Sequence, residues 1–267
     1  RSTLFPYTTL FRSLFMRPEF AAARERCAPR ERLRNLLVFF GGADHDNLTR
    51  TAIEALAVGR WPDVSAAVVV GSMNPHWEEL RRECARLPNV IFHRGTEAMA
   101  ELMAAADLAI GAAGTSSWER CCLGLPAIVV SVAENQSEVA RGLARARAAL
   151  QLERQQFSAT RLAKLLDHFQ RRPQLLQRMS RRAAQLVDGS GADRVAVAMH
   201  DRAVTVRAAT IEDGPMAWRW RNFEEVRRVS FDTTAIPLQS HLAWWSEAVQ
   251  SDRKSTRLNS SHLFISR

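Results

Sequence analysis

The chain has 267 residues, and its 37 Lys and Arg residues against 28 Asp and Glu residues give a formal net charge of +9 at pH 7. Hydrophobic residues make up 46% and charged residues 24%, which is typical of a folded globular protein rather than a disordered chain. No apolar run approaches the roughly 20 residues that a membrane-spanning helix needs, so we expect no such helix.

The two ends of the chain differ from its middle. Residues 1–13 (RSTLFPYTTLFRS) contain TLF twice, and residues 253–267 (RKSTRLNSSHLFISR) are rich in serine without an amphipathic period. Both resemble translated adapter or vector sequence, so we expect two non-native tails; disordered native tails are the alternative. The ends carry six basic and no acidic residues, which leaves a net charge of +3 for residues 14–252.

The middle of the chain predicts short apolar strands that alternate with helices. We predict strands at 36–40, 66–70, 90–92, 108–110 and 127–130. We predict helices at 47–58, 77–85, 97–105, 117–123, 137–150, 158–169 and 173–187. Residues 14–31 are interpreted as a linker or partial helix. The alternation predicts an α/β domain over residues 32–200, with a Rossmann-like parallel sheet covered by helices on both faces.

The pattern changes after about residue 200. Residues 204–207 alternate like a half-exposed strand, and residues 213–220 have the spacing of a helix. Residues 204–252 are too few for an ordinary α/β domain, so we expect the opening part of a truncated second domain. We interpret the four tryptophans of this region as core residues of that domain; they are Trp218, Trp220, Trp244 and Trp245.

The cysteines predict neither a zinc site nor a disulfide framework. Cys121 and Cys122 are adjacent and cannot easily bridge each other, and neither Cys27 nor Cys84 forms a CxxC spacing with another cysteine. We therefore expect no metal and a reduced, cytoplasmic setting.

Two glycine-containing loops follow predicted strands. Residues 111–119 (GAAGTSSWE) lie between a strand and a helix, where glycine lets backbone N–H groups approach a phosphate closely. The hydroxyls of Thr115, Ser116 and Ser117 would add hydrogen bonds, and Glu119 could accept from both hydroxyls of a ribose. Gly41 and Gly42 open the second loop. For both loops a plain turn and helix cap is the alternative, with Asp46 or Asn47 as the cap in the loop after Gly42.

A third polar loop, residues 133–136 (AENQ), follows the last predicted strand. Asn135 and Gln136 could bond a sugar or a base edge, although Asn135 could instead cap the next helix. Because the carboxyl ends of parallel strands share one edge of the sheet, we expect these loops to form one ligand-binding rim.

The segments FFGGADHDNLT, VVVGSMNPHWEEL and MAELMAAADLAIGAAGTSSWERCCLGLPAIVVSVAENQ occur in the order and spacing of a known family. From about Leu36 to Met199 the chain resembles the C-terminal half of the UDP-sugar hydrolases of pseudaminic acid biosynthesis. These release UDP from UDP-2,4-diacetamido-2,4,6-trideoxy-β-L-altropyranose. The resemblance implies a GT-B-like fold of two Rossmann-like halves, of which the C-terminal half binds UDP, with no cofactor.

The resemblance also implies roles for individual residues. Gly41, Gly42 and residues 114–116 (Gly114, Thr115, Ser116) would lie along the diphosphate, Glu119 would hold the ribose, and Asn135 with Gln136 would lie near the diphosphate or the sugar. The family's catalytic His lies in a Gly-rich loop of the N-terminal half that this sequence does not contain. We interpret His45 as a solvated loop residue, and His76 and His93 as surface or strand-end residues. We therefore expect weak UDP-sugar binding and little or no hydrolysis.

Residues 204–252 contain the pattern WRN…VRR…H..WW. With this pattern they resemble the opening of a GNAT-type N-acetyltransferase, which implies a truncated α+β GNAT-like segment of a bifunctional enzyme. The acetyl-CoA pyrophosphate loop is absent, so acetyl-CoA binding is expected only of a complete domain.

Two other functions stay open at this point. A UDP-sugar glycosyltransferase of GT-B type would share this half of the fold, since the other half determines the acceptor. A basic nucleic-acid-binding module is the other possibility, but the arginines that suggest it lie between apolar residues on helices and indicate solvated faces instead. They are Arg141, Arg145, Arg147, Arg171, Arg172, Arg181 and Arg182. We expect no nucleic-acid or membrane partner, and the sequence does not indicate an oligomeric state.

Overall fold

The computed structural model describes residues 16–59, 61–201, 209–228 and 234–250. The chain divides into two compact units, Arg1–Ala192 and Asp193–Arg267. Both predicted non-native tails and the strand predicted at 204–207 lie outside the described residues. Along the described stretches, no helix is long and apolar enough to cross a membrane.

A six-stranded sheet, parallel throughout, forms the centre of the first unit. Its spatial order is β3-β2-β1-β4-β5-β6. The strands are β1 (Asn35–Phe39), β2 (Ser65–Val70), β3 (Val90–Arg94), β4 (Leu108–Ala112), β5 (Ala127–Val130) and β6 (Ala149–Leu152). This arrangement confirms the predicted Rossmann-like parallel sheet and its first five strands.

Helices cover both faces of the sheet, because successive residues of each strand point to opposite sides. Leu36 and Val38 of β1 enter one core with Val68 of β2, whereas Leu37 and Val69 enter the other. Both faces are therefore apolar, which explains why the strands appear in the sequence as continuous apolar runs without alternation.

The helices of the first unit follow the predicted ones closely. They are α1 (Pro18–Arg24), α2 (Leu48–Val58), α3 (Trp77–Cys84), α4 (Met99–Ala105), α5 (Ser116–Cys122), α6 (Ser137–Arg145), α7 (Ala159–Arg171) and α8 (Pro173–Leu186). A further helix, α9 (Gly191–Asp201), contains the division between the two units. The seven arginines considered above for nucleic-acid binding are all exposed, in keeping with solvated helix faces.

The predicted helix at 137–150 was wrong at its C-terminal end. Helix α6 ends at Arg145, and Ala149–Leu152 form β6, which pairs with β5. The chain leaves the helix through Arg147, which has a φ of 57°. Glycine usually occupies such a left-handed position after a helix, and no glycine is present to mark the end in the sequence.

Residues 16–34 pack against the rest of the first unit through two arginines. Arg24 of α1 donates to the carbonyls of Ala184 and Val187, each at 2.9 Å. Arg30 is 8% exposed and donates to the carbonyls of Met103 and Leu123, each at 3.4 Å. The last turns of several helices thus gain donors for carbonyls near their ends.

The second unit is helical in its described part. It contains α10 (Gly214–Asn222), α11 (Glu224–Arg228) and α12 (Leu238–Gln250), preceded by a short turn at Ile211–Asp213. Trp245 is 3% exposed and donates from Nε1 to the carbonyl of Thr210 at 2.9 Å. Trp244 is 49% exposed. The predicted core role of the tryptophans therefore fits Trp245 but not Trp244.

Asp44 caps α2, which corrects the prediction of Asp46 or Asn47. Its carboxylate accepts from the backbone N–H of Leu48 at 3.0 Å and of Thr49 at 2.9 Å, and also from the Thr49 hydroxyl. Asn47 occupies the N-cap position with a φ of 50° and makes no side-chain cap hydrogen bond. The left-handed turn moves the capping side chain three residues upstream.

We expect Asp44→Ala to lower the free energy of unfolding by about 1–2 kcal/mol, because the first amides of α2 lose their acceptor. Urea denaturation followed by circular dichroism measures the change. Asp46→Ala is the matched control. Its carboxylate pairs only at the surface, 3.3 Å from Arg154 Nη2, and its loss should cost less than about 0.5 kcal/mol. Equal losses in the two variants would contradict the assignment of the cap.

Candidate functional site

The strand order creates a crevice at one edge of the sheet. From β1 the chain first builds outward to β2 and β3, and then returns to place β4 on the other side of β1. The connections that follow β1 and β4 therefore diverge to opposite sides. In open α/β sheets, ligands bind at this point, outside the carboxyl ends of the strands. The loops beginning at Phe40 and Ala113 flank the crevice, and the loop after β5 lies next to them.

The loop after β1 presents an open backbone surface. Gly41 has a φ of 96°, and a Cβ added at Gly41 or Gly42 would meet no atom within 4 Å. Behind them, Gly71 packs so closely that a Cβ there would lie 2.1 Å from the carbonyl oxygen of Gly42. The loop after β2 thus supports the loop after β1 on one side. The other side is open, so a ligand can approach the backbone of Gly41 and Gly42 directly.

Gln136 joins the loops after β4 and β5. Its Oε1 accepts from the backbone N–H of Val132 at 3.2 Å, and its Nε2 is 3.6 Å from the position of a Cβ built on Gly114. Gln136 is 9% exposed, and no other atom lies within 4 Å of the Cβ position at Gly114. Of the predicted site residues, the structure therefore brings Gly114 and Gln136 together.

The predicted hydroxyl residues divide into two groups. Thr115 is exposed and Ser116 is half-buried at the start of α5, so both remain accessible to a ligand. Ser117 is 1% exposed, and its hydroxyl accepts from Arg120 Nη2 at 2.8 Å. The prediction that Ser117 binds phosphate was wrong, because its side chain is turned into the protein to bond a buried guanidinium.

Gly111 is a packing glycine. A Cβ at this position would lie 2.1 Å from the carbonyl oxygen of Phe39 and 2.8 Å from Arg120 Nη1. The close approach of β1 and of the Arg120 side chain thus excludes any larger residue. Glycine is therefore present at Gly111 and Gly114 for different reasons. Gly111 avoids a clash within the protein, whereas Gly114 has open space around it.

Glu119 lies in the first turns of α5 and already has one partner. Arg17 donates to Glu119 Oε1 from Nε at 3.3 Å and from Nη2 at 3.1 Å. Burial raises the pKa of Glu119 above its ordinary value, and the nearby charge of Arg17 opposes this rise. The carboxylate side chain remains 20% exposed, so a ligand on the rim can still reach it.

Asn135 lies in a short 3-10 turn, Glu134–Gln136, that precedes α6. Its side chain is exposed, and the N-cap position of α6 is occupied by Gln136 without a capping bond. The alternative that Asn135 caps the helix was therefore wrong. A role for Asn135 in ligand binding stays a prediction.

Three further polar groups on this edge were not among the predicted ligand-binding residues. Asn47 Oδ1, Asn74 Nδ2 and Ser131 Oγ are buried without a hydrogen-bond partner. They follow β1, β2 and β5, at the same carboxyl-end edge. A buried polar group without a partner costs free energy, and a ligand bound at this edge would supply the missing partner. The signal available in the sequence was that each of them lies in the connection that follows a predicted strand.

The three histidines of the first unit that the sequence singled out are not grouped. His45 is exposed in the loop after β1, His76 precedes α3, and His93 lies on β3 opposite Val69. The solvated interpretation of His45 fits its exposure. Within the described residues, no three His, Cys, Asp or Glu side chains lie close enough together to hold a metal ion.

Comparison with known proteins places the first unit in a family. A profile of the glycosyltransferase family 28 C-terminal domain matches residues 36–195. The spore coat polysaccharide biosynthesis protein SpsG of Bacillus subtilis (strain 168) is 37% identical over 142 residues, which cover 52% of this chain and 41% of that protein.

The UDP-N-acetylglucosamine–N-acetylmuramyl-(pentapeptide) pyrophosphoryl-undecaprenol N-acetylglucosamine transferase of Sorangium cellulosum (strain So ce56) is 30% identical over 232 residues. These cover 84% of this chain and 57% of that protein. The chain thus spans about half the length of these two relatives. The crystal structure of MurG from Acinetobacter baumannii shares the fold, with a TM-score of 0.53, 22% identity and coverage of 68% of this chain and 53% of that chain. This chain belongs, through residues 36–195, to the family of glycosyltransferase family 28 C-terminal domains.

Proposed function

We propose that the first unit is the donor-binding half of a GT-B glycosyltransferase, and that its rim binds the UDP moiety of a UDP-sugar. One observation carries the proposal: the open glycines of two loops flank the crevice between β1 and β4, with the carboxylate of Glu119 on the helix that follows. The rim comprises the loops 41–47, 111–119 and 133–136. The names of the relatives support a sugar-transfer role for this half, since one of them is an N-acetylglucosamine transferase.

The diphosphate would lie against the backbone of Gly41, Gly42 and Gly114. An unobstructed glycine backbone lets N–H groups reach phosphate oxygens, and the hydroxyls of Thr115 and Ser116 would add further donors. Donors fixed in this way stabilise the negative charge that develops on the diphosphate as it leaves the sugar. Asn135 and Gln136 would contact the diphosphate or the sugar from the neighbouring loop.

Glu119 would hold the ribose. An ionised carboxylate accepts from two neighbouring hydroxyls, and such charge-assisted hydrogen bonds are among the stronger polar contacts. Since α5 begins directly after the loop of Gly114, the carboxylate of Glu119 would lie near the end of a diphosphate bound to that loop.

Hydrolysis of the same donor is the second candidate. It is favoured by the motif resemblance to UDP-sugar hydrolases over residues 36–199, and it differs only in using water as the acceptor. We assign no catalytic base. His45 lies in the rim loop 41–47 but is an exposed loop residue, and His76 and His93 lie outside the rim. The GNAT-like nature of residues 204–252 stays a prediction, and we propose no acetyl-CoA site.

We expect UDP to bind this chain in isothermal titration calorimetry, and Glu119→Gln to weaken binding about 10- to 100-fold. The loss reflects hydrogen bonds to a charged group, which contribute about 1.5–3 kcal/mol. Glu101→Gln, an exposed acid on α4, is the matched control and should bind as the unchanged chain does. The absence of binding heat at millimolar UDP would contradict the proposal. Full UDP affinity in Glu119→Gln would contradict it as well.

The role of Glu119 also predicts a pH dependence. Only the ionised carboxylate accepts both hydroxyls, so the preference for UDP over 2′-deoxy-UDP should fall as the pH drops through the raised pKa of Glu119. The groups that set this pKa besides burial are Arg17, Arg120 and Glu19. Arg17→Met removes the positive charge that lowers the pKa of Glu119, so the preference for UDP should already be lost at a higher pH. Both ligands carry the same diphosphate, so the ratio of their affinities does not depend on protonation of the phosphates. A ratio that does not change with pH would contradict the assignment.

The two candidate reactions differ in what happens without an acceptor. For the transferase we expect UDP-N-acetylglucosamine in ¹⁸O-labelled water to stay intact in the presence of this chain. Release of UDP above the buffer rate, with the label at the anomeric carbon of the free sugar, would favour hydrolysis instead. Mass spectrometry of the sugar measures the label, and Glu119→Gln controls for release by a contaminating enzyme.

A further inference from the structure

The side chain of Arg120 is a buried cation directly behind the loop after β4. Arg120 is 2% exposed, and its Nη2 donates to the carbonyl of Ala112 at 2.7 Å and to the hydroxyl of Ser117 at 2.8 Å. Both of these partners are neutral. The ion pairs formed among the described residues do not include Arg120. The adjacent Glu119 pairs with Arg17 and acts on Arg120 only through its nearby charge, without an ion pair.

The two acceptors of Arg120 lie on either side of residues 113–116. Ala112 is the last residue of β4, and Ser117 is the second residue of α5. One guanidinium group thus connects the two ends of the loop that carries Gly114. A Cβ at Gly111 would lie 2.8 Å from Nη1, so the sequence has glycine where the guanidinium passes.

A buried charge is unfavourable unless an opposite charge or several hydrogen bonds compensate for it. Burial lowers the pKa of Arg120 to about 10, which still leaves the group charged at neutral pH. Helix α5 has only seven residues and contributes a correspondingly small macrodipole. The permanent positive charge behind this loop therefore comes from Arg120.

We propose that Arg120 is a positioning residue whose charge is matched by the diphosphate of the bound nucleotide on the opposite side of the loop. This inference rests on the proposed function, since it takes the diphosphate to lie against Gly114. Arg120 does not touch the ligand in this arrangement. Its charge attracts the phosphates through the loop, and the loop backbone transmits this attraction by hydrogen bonding to the anion.

The proposal makes Arg120 a determinant of phosphate recognition and not of uridine recognition. The measured quantity is the ratio of the dissociation constants of uridine and UDP, obtained by ligand-detected NMR and calorimetry. Arg120→Gln keeps a hydrogen-bond donor but loses the charge, and should lower the ratio about tenfold or more while uridine affinity changes little. Arg120→Lys keeps the charge and should retain most of the ratio. Arg161→Gln, an exposed arginine on α7, is the matched control.

A purely structural role of Arg120 would reverse the order of UDP affinity between Arg120→Gln and Arg120→Lys. If Arg120 only connects the ends of the loop, Arg120→Gln should bind UDP at least as well as Arg120→Lys. Ser117→Ala, which removes one connection and leaves the charge, should then lower the ratio as well. Under the proposal, Ser117→Ala keeps the ratio. These two results together separate the effect of the charge from that of the hydrogen bonds.

Thermal unfolding of each variant shows which of them fold. If Arg120→Gln does not fold, Arg120→Lys and Ser117→Ala decide: a retained ratio in both supports the proposal, and a loss in either overturns it. An unchanged ratio in folded Arg120→Gln also overturns it. Failure of the unsubstituted chain to bind UDP would contradict the proposed function, whereas UDP binding that Arg120→Gln leaves intact would contradict this inference alone.

Discussion

The pairing of β1 with β4 is the constraint on which the rest of the first unit depends. It places two strands side by side whose following loops diverge, and so it opens the crevice at the carboxyl edge. The contact is close: a Cβ at Gly111 would overlap the carbonyl of Phe39 across the pair. The missing side chain of Gly111 also leaves space for the guanidinium of Arg120. The loop geometry, the burial of Arg120 and the position of α5 thus follow from one strand pair.

The sequence predicts the sheet well because the physical cause of each strand is local. A strand buried on both faces needs a short, continuous apolar run, and β1, β2 and β5 are such runs. β6 was missed because its boundary depends on the left-handed backbone at Arg147, a conformation for which arginine gives no signal. The cap of α2 was misplaced for a related reason. Asn47 adopts a left-handed conformation, so Asp44 and not its nearer neighbours reaches the first amides.

The site shows a different limit of sequence reasoning. A glycine in the sequence does not show whether its missing side chain leaves an open surface, as at Gly114, or makes room for a strand and an arginine, as at Gly111. A basic residue in a helix next to an acid is typical of a solvated surface, and Arg120 is instead almost fully buried. Ser117 was misassigned for the same reason, since its hydroxyl serves that arginine. Such placements depend on tertiary packing, which no local pattern encodes.

The pair between Arg17 and Glu119 does not prevent a ribose from binding at Glu119. Arg17 bonds only Oε1 and is 49% exposed, and it also contacts Glu19 at 2.9 Å. An exposed pair of this kind contributes about 0–1 kcal/mol, whereas hydrogen bonds from a ligand to a charged group contribute about 1.5–3 kcal/mol. A bound ribose can therefore displace Arg17 or share the carboxylate with it. Sharing has an additional advantage, because the positive charge opposes the rise in the pKa of Glu119 that burial causes. In the proposed complex, Arg17 would keep the carboxylate of Glu119 ionised while the second oxygen of Glu119 bonds the ribose.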